Sequence, residues 1–172
     1  MIKKIIYLII IIISIISIPL LLNEKEIITK TIYKININQK QIPIGKLYIS
    51  KININNDIYS KKSDKNNIEE NITILKESIS PEKKDSIMIL AAHSGTGSIA
   101  YFERLDELII NDEVILQYNN KEYRYEVTDI YEEKKNGYIH IKESNKKQLV
   151  LTTCSPNKKD KQLIVICTEK ES

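Results

Sequence analysis

The feature that most constrains this chain is an uncharged, apolar run near its N-terminus, over residues 5–22. Its 18 residues would span roughly 27 Å as an α-helix, close to the ~30 Å hydrocarbon core of a bilayer. Ser14 and Ser17 can bond back to the helix backbone, and Pro19 lies near the far end, where a kink is tolerated. The run therefore predicts a transmembrane helix.

A cleaved signal peptide is the alternative interpretation of the same run. The apolar part of a signal peptide is usually shorter, ~7–15 residues, and small residues follow it at the cleavage site. Here Leu22 leads directly into Asn23 and Glu24, and no such site is present. An uncleaved anchor is therefore favoured over a cleaved signal.

Two lysines, Lys3 and Lys4, precede the run and favour a cytoplasmic N-terminus. We therefore expect a single-pass protein of the cell membrane with a cytoplasmic tip over residues 1–4 and an anchor in contact with membrane lipid. A polar linker over residues 23–41, partly helical or extended, would lead to an extracellular domain over residues 42–172.

Composition and charge exclude several classes of protein. Without the two N-terminal lysines, the 26 basic residues fall to 24 against 23 acidic ones, so no basic surface for nucleic acid is expected. The cysteines, Cys154 and Cys167, are too few for a disulfide scaffold or a four-cysteine zinc site. With two histidines, His93 and His140, a histidine-rich metal centre is also disfavoured. We expect no cofactor.

Short apolar or alternating runs predict a mainly β domain. Asparagine accepts positive φ, so residues 119–121 are predicted to be the turn of a hairpin. The spacing of Phe102, Leu105 and Leu108 predicts one buried face of a short helix. Many short strands with one or two short helices indicate a closed or nearly closed β-barrel. The predicted strands cover residues 47–49, 52–54, 87–92, 114–118, 122–131, 138–141, 148–153 and 163–168.

The two candidate reactive residues each follow a strand-like run. His93 comes directly after the apolar run that ends in Ala92, and Cys154 ends the run over residues 149–153. A cysteine attacks an acyl group as the thiolate, which a nearby histidine can stabilise as an imidazolium partner. The same residues are also compatible with an inert buried cysteine and a structural histidine.

Four segments resemble motifs of the sortase family, in the family's order from residue 44 to residue 168. Residues 149–154, Leu-Val-Leu-Thr-Thr-Cys, are similar to the active-site motif T-L-x-T-C, with Val150 at its first position. Residues 89–95 resemble the histidine motif, an apolar strand that ends in A-G-H or A-A-H. The other two matches are residues 102–105 with 111–114, similar to F-x-x-L…G-D-x-V, and residues 45–52, similar to G-x-L-x-I-P-K-I with Ser50 in place of proline.

The resemblance implies an eight-stranded barrel and a cysteine transpeptidase on the outer face of a Gram-positive-type cell. Such an enzyme cleaves a C-terminal, LPxTG-like sorting motif of surface proteins and transfers the acyl group to a peptidoglycan-precursor or pilin amine. Cys154 would be the nucleophile and His93 the proton donor and acceptor, with Thr153 and Ser94 in contact with the substrate. Residues 71–76 and the short segment before Leu149 resemble class B or D members more than class A.

One departure from the family concerns its arginine, which lies on the strand after the cysteine. Gln162 takes that place, and no arginine follows Arg124. We expect Gln162 to donate its amide N–H to the oxyanion, because strand alternation would turn the neighbouring Lys161 to the opposite face. Two alternatives stay open: Lys161, which would supply the positive charge, and backbone donors alone.

Other functional hypotheses stay open beside the transpeptidase. Loss of the arginine is also compatible with a sortase-fold module that binds peptides without catalysis. A papain-like hydrolase is disfavoured, since its cysteine usually precedes its histidine. We interpret His140 and the buried Cys167 as structural. A calcium site, as in some sortases, is an alternative interpretation of three carboxylates, those of Asp129, Glu132 and Glu133. A solvated acidic loop is favoured, and no metal is expected.

Overall fold

The computed structural model describes residues 21–37, 41–142 and 144–170. The chain divides into two units, Met1–Gln39 and Lys40–Ser172. In the first unit, residues 21–37 form an α-helix that includes most of the predicted linker. An ion pair of 2.6 Å between Glu26 and Lys30, one turn apart, supports the helix.

The predicted anchor over residues 5–22 lies outside the described residues, apart from its last two. Within the described part of the chain, no helix is both long and apolar enough to cross a membrane.

Eight strands form a single sheet in the second unit. Their order in the sheet is β2-β1-β5-β6-β8-β7-β4-β3. Neighbouring strands are antiparallel except β4 and β7, which are parallel. The strands are β1 (Gly45–Ile49), β2 (Ile54–Ile58), β3 (Thr73–Ile74), β4 (Ile87–Ala91), β5 (Glu113–Tyr118), β6 (Lys121–Lys134), β7 (Gln148–Cys154) and β8 (Lys161–Glu169).

The sheet curls into a nearly closed barrel. Strands β2 and β3 are its two edges, so the ring of backbone hydrogen bonds that full closure requires is incomplete. Even so, Ile58 of β2 and Ile74 of β3 belong to one core cluster together with Leu47 and Leu151. The prediction of a mainly β, eight-stranded barrel is confirmed, whereas complete closure is not observed.

Two strands next to the candidate residues are buried on both faces. On β7, Leu149 and Leu151 point into the main core, whereas Val150 belongs to a second, smaller cluster on the outer face. On β8, Val165 and Ile164 divide in the same way. Burial on both faces explains why these strands are continuous apolar runs in the sequence rather than alternating ones.

Several local predictions can be compared with the observed elements. The hairpin of β5 and β6 is confirmed, with Asn119 and Asn120 at φ 49° and 62°. The strand predicted over residues 52–54 is wrong, because Ser50–Ile52 is a 3-10 helix and β2 begins at Ile54. Residues 138–141 form no strand. The helix predicted around Phe102 is reduced to a 3-10 turn, Leu105–Glu107, although the predicted face is buried.

Candidate active site

Three adjacent strands bring the predicted reactive residues to the same level of the sheet. The parallel register pairs Ala91 of β4 with Thr152 of β7, and the Ala92 N–H extends the pairing by donating to the Thr152 carbonyl at 3.3 Å. Continued by two residues, this register places His93 level with Cys154 on the adjacent chain segment. On the other side, Gln162 of β8 is the antiparallel partner of Cys154.

These side chains also share one face of the sheet. Cys154 is four residues from Val150, and Gln162 is two residues from Ile164; both apolar residues belong to the outer cluster. Because side chains alternate along a strand, an even separation places two residues on the same face. Thus the candidate site lies where the outer cluster ends, at the C-terminal end of β7.

The candidate nucleophile is accessible. Cys154 is exposed and is not in a disulfide, although every other residue of β7 is buried. The strand ends there because the chain turns at the next residue: the Ser155 N–H donates to the Lys161 carbonyl at 3.0 Å. The Ser155 hydroxyl also accepts N–H groups of Asn157 and Lys158. These bonds fix the turn that follows the cysteine.

The histidine is anchored through its backbone. The His93 carbonyl accepts the Phe102 N–H at 3.0 Å, and Phe102 is fully buried. The ring is partly exposed, and its Nε2 lies 3.5 Å from Oε1 of Glu69. Glu69 is 70% exposed, whereas the His93 Nε2 atom is buried and has no hydrogen-bond partner among the described residues.

Gln162 occupies the place at which the sequence predicts an oxyanion donor. Its Nε2 donates to the Tyr138 carbonyl at 2.7 Å and to Oε1 of Glu133 at 3.2 Å. A primary amide has two N–H groups, so both hydrogens of Gln162 are engaged. The oxyanion role of Gln162 stays a prediction, and it would require one of these bonds to break.

The neighbouring Lys161 differs from Gln162 in direction. Its antiparallel partner is Lys134, and alternation along β8 turns the Lys161 side chain to the face opposite Gln162. Its carbonyl, however, holds Ser155 beside the cysteine.

Thr153 and Ser94 are the residues for which the sequence predicts contact with the substrate. The buried Thr153 hydroxyl donates to the Ala92 carbonyl at 2.7 Å, so it links the two chain segments that carry the reactive residues. Ser94 is half-buried in the loop after the histidine. Contact of either residue with substrate stays a prediction.

A cavity of about 420 Å³ opens over this row of side chains. Apolar groups form most of its wall, including Ile68, Leu75 and Ile139, with Cys154 and His93 at its polar part. A larger cavity of about 650 Å³ lies elsewhere on the outer face, but neither reactive residue lines it. The smaller cavity, whose wall is mostly apolar, is therefore the candidate active site.

The segment that follows β6 forms one wall of the cavity. The Tyr131 hydroxyl donates to the His140 carbonyl, and Ile139 packs on the outer cluster. Burial raises the pKa of Tyr131 to about 12, so the hydroxyl stays protonated and donates this hydrogen bond even well above neutral pH. These contacts hold Tyr138 and Ile139 beside Cys154 without any strand pairing.

The three carboxylates of the calcium hypothesis have other partners. Asp129 pairs with Lys142 at 3.4 Å, and Glu133 contacts His140. Glu132 accepts the Ser155 hydroxyl at 2.6 Å, a bond that holds the pKa of this carboxyl below its usual range. Among the residues with a described structure, no group of three His, Cys, Asp or Glu side chains is placed to hold a metal ion.

Cys167 lies in the main core, and His140 lies outside the cavity. The Cys167 side chain is fully buried, and burial raises the pKa of its thiol. Cys167 is level with Leu149, at the other end of β7 from Cys154, so the two cysteines are not poised to form a disulfide. His140 is 77% exposed and contacts Glu133 rather than either reactive residue.

Sequence reasoning does not identify the contacts of Glu69, Ser155, Tyr138 and Glu133. Glu69 and Tyr138 lie in irregular segments, for which periodicity gives no partner. For Glu133 the sequence suggests only a calcium ligand. Its register position on β6, opposite Gln162, cannot be predicted from the sequence, because local sequence does not show which distant strands pair.

Comparisons with known proteins bear on the family and the fold of the chain. Residues 47–170 match the family model of the sortase domain. Sortase C1 from Streptococcus agalactiae is similar in structure, with a TM-score of 0.66 and 27% identity over 77% of this chain and 70% of that one.

Two further solved structures share the fold. A lid mutant of sortase A from Corynebacterium diphtheriae has a TM-score of 0.66 and 22% identity, over 76% of this chain and 72% of that chain. Sortase C from Streptococcus pneumoniae has a TM-score of 0.67 and 20% identity, over 78% and 73%. No curated protein matches the chain in sequence.

Proposed function

The chain belongs to the sortase family, and from this premise we propose that it is a cysteine transpeptidase for peptides that carry an LPxTG-like sorting motif. One observation carries the proposal: the exposed Cys154 thiol lies level with His93 on adjacent chain segments and in the same cavity. This arrangement would bring a nucleophile and a proton-transfer group together in one mostly apolar cavity.

The chemistry follows from these two side chains. The Cys154 thiolate attacks the carbonyl carbon of the scissile bond, and the C–N bond breaks as protonated His93 gives its proton to the leaving amine. The acyl group remains on Sγ as a thioester. An incoming amine then attacks the thioester, loses its proton to His93 and releases the thiolate.

The tetrahedral intermediates need a hydrogen-bond donor for their oxyanion. Both amide hydrogens of Gln162 already have acceptors. The oxyanion donor is therefore either a backbone N–H group near Cys154 or the Gln162 amide after one of its two bonds has broken.

Cellular placement and partners complete the proposal. Residues 5–22 would anchor the enzyme so that residues 42–172 face the cell exterior. Its substrates would be surface proteins with a C-terminal sorting signal, and the acceptor would be an amine of a peptidoglycan precursor or a pilin. The structure of the Streptococcus pneumoniae sortase C was described in terms of pilin substrate specificity, which supports a pilin among the candidate acceptors. Subclass B or D stays a prediction.

A fluorogenic sorting peptide tests the proposal. The parent protein should cleave it and show an acyl adduct on Cys154 by intact-mass and peptide mass spectrometry. Cys154→Ala should lose both cleavage and adduct, and His93→Ala should lose turnover to a similar extent. The matched control is Cys167→Ala, which should keep most activity because its thiol lies in the core. An adduct on Cys167, or normal turnover by Cys154→Ala, would refute the assignment.

A non-catalytic peptide-binding module is the second candidate, and one observation favours it. Glutamine stands where the family has arginine, and its amide hydrogens are engaged. This candidate would be supported if the parent protein binds the sorting peptide but forms no thioester with it, even at long reaction times.

A further inference from the structure

The amide of Gln162 has a defined orientation. Its Nε2 faces the Tyr138 carbonyl and the Glu133 carboxylate, at 2.7 and 3.2 Å. A carbonyl and an ionised carboxylate can only accept hydrogen bonds, so the NH2 side of the amide must face them. The reverse orientation would place three acceptor groups together.

Glu133 is itself held in place. It is the antiparallel partner of Gln162 across β6 and β8, and its side chain is 15% exposed. Its Oε2 contacts His140 Nδ1 at 2.6 Å, and its Oε1 accepts the His140 backbone N–H at 3.3 Å. The carboxylate cannot turn away from Gln162 without losing these contacts.

The remaining polar atom of the amide is the Gln162 carbonyl oxygen, Oε1. No donor among the described residues bonds to it. Because Nε2 faces the Tyr138 carbonyl and Glu133, the trigonal amide turns Oε1 away from these two acceptors. Gln162 lines the same cavity as Cys154. An acceptor, rather than a donor, is thus available to a ligand in the cavity.

We infer that Gln162 positions the substrate by accepting a backbone N–H of the bound peptide at Oε1, and that Glu133, held by His140, fixes this polarity. The inference rests on the proposed function, because the ligand is the extended sorting peptide. Arginine has no acceptor, so this site would recognise the peptide backbone with a polarity that an arginine cannot provide.

Peptide binding to Cys154→Ala tests the inference without any chemistry. In a set of sorting peptides, each backbone N–H is replaced in turn by an ester oxygen. One replacement should weaken binding about threefold to tenfold, the effect of one neutral hydrogen bond. Gln162→Met in the same background should weaken binding of the normal peptide by a similar factor, and that ester should then cause no further loss.

Glu133→Gln tests the positioning role in the active enzyme. The new amide can donate or accept, so of the two groups that fix the orientation of the Gln162 amide only the Tyr138 carbonyl remains. KM for the peptide should rise by a similar factor while kcat changes less than twofold. The matched control is Glu122→Gln at the opposite end of β6, which pairs with Arg124 and should leave both constants unchanged.

Two results would overturn the inference. The first is an ester scan in which every replacement that weakens binding still does so in the Gln162→Met background. This result would overturn the inference even if the parent forms a thioester and the proposed function holds. The other is a loss of about 10²-fold in kcat at constant KM for Gln162→Met, which would identify an oxyanion donor. If instead the ester effect is found but Cys154 in the parent forms no thioester, the proposed catalysis fails and the inference stands.

Discussion

The hydrogen bond between Thr153 and Ala92 offers a direct test of how the fold positions the reactive pair. The Thr153 hydroxyl donates to the Ala92 carbonyl at 2.7 Å, and both residues are buried. Thr153 directly precedes Cys154, and Ala92 directly precedes His93. This bond therefore ties together the two chain segments that carry the thiol and the imidazole of the proposed mechanism.

Thr153→Val removes the donor and keeps the branched shape of the side chain. A buried carbonyl that loses its partner costs about 1–3 kcal/mol, so the free energy of unfolding should fall by that amount. The two segments can then drift apart, and a displacement of about 1 Å at a reacting group can cost on the order of 10²-fold in rate. We therefore expect a loss of kcat between tenfold and about 10²-fold, with KM changing less.

The measurements are urea unfolding and the rate of thioester formation with the fluorogenic peptide. Thr152→Val is the matched control for stability. Thr152 is buried on the same strand but points to the outer face, and its hydroxyl donates no hydrogen bond in the described part of the chain. Its unfolding free energy should stay within about 0.5 kcal/mol of the parent. If Thr153→Val is as stable as Thr152→Val and as active as the parent, the bond does not position the site.

Three further predictions concern the scaffold. Burial raises the pKa of the Cys167 thiol, so a thiol reagent at neutral pH should add once to the native protein, at Cys154, and twice after denaturation; two adducts on native protein would contradict the burial. Gly45→Ala would place a Cβ 1.9 Å from a backbone oxygen of β5, so β1 must shift and stability should fall by about 1–3 kcal/mol or more; unchanged urea unfolding would show that the strands adapt freely. Hydrogen bonding by Ser155 above all holds the pKa of Glu132 below its usual range, so the stability that this carboxylate contributes is present above its unfolded pKa and is lost as pH falls through its lower folded pKa. Ser155→Ala should flatten that acid limb of the stability curve, and an unchanged limb would exclude the coupling.

The strand pattern was accessible from the sequence because it depends on local chemistry. Apolar runs placed β4, β7 and β8 close to their observed positions, and Asn119 and Asn120 marked the hairpin because asparagine tolerates positive φ. The motifs around His93 and Cys154 identified the family, which the comparison of residues 47–170 confirms.

In two segments the local sequence pattern predicted the wrong backbone conformation. Residues 138–141 alternate like a strand, yet they form a loop whose apolar residues, Ile139 and Ile141, pack on the outer cluster. The spacing of Phe102, Leu105 and Leu108 predicted a helix, but successive turns with one 3-10 helix bury the same side chains. In both segments the sequence specified which side chains are buried, and the backbone conformation was decided by packing.

The sequence by itself therefore determined most of the strands, the turn and the motifs of the two proposed reactive residues, since each depends on a short stretch of chain. Only the tertiary structure decided the row that runs from His93 through Cys154 and Gln162 to Glu133, because it requires the register of four strands distant in sequence. The orientation of the Gln162 amide was likewise decided only by the tertiary structure. A glutamine can donate or accept, and the acceptors that surround its Nε2, the Tyr138 carbonyl and the Glu133 carboxylate, come from segments that only folding brings together.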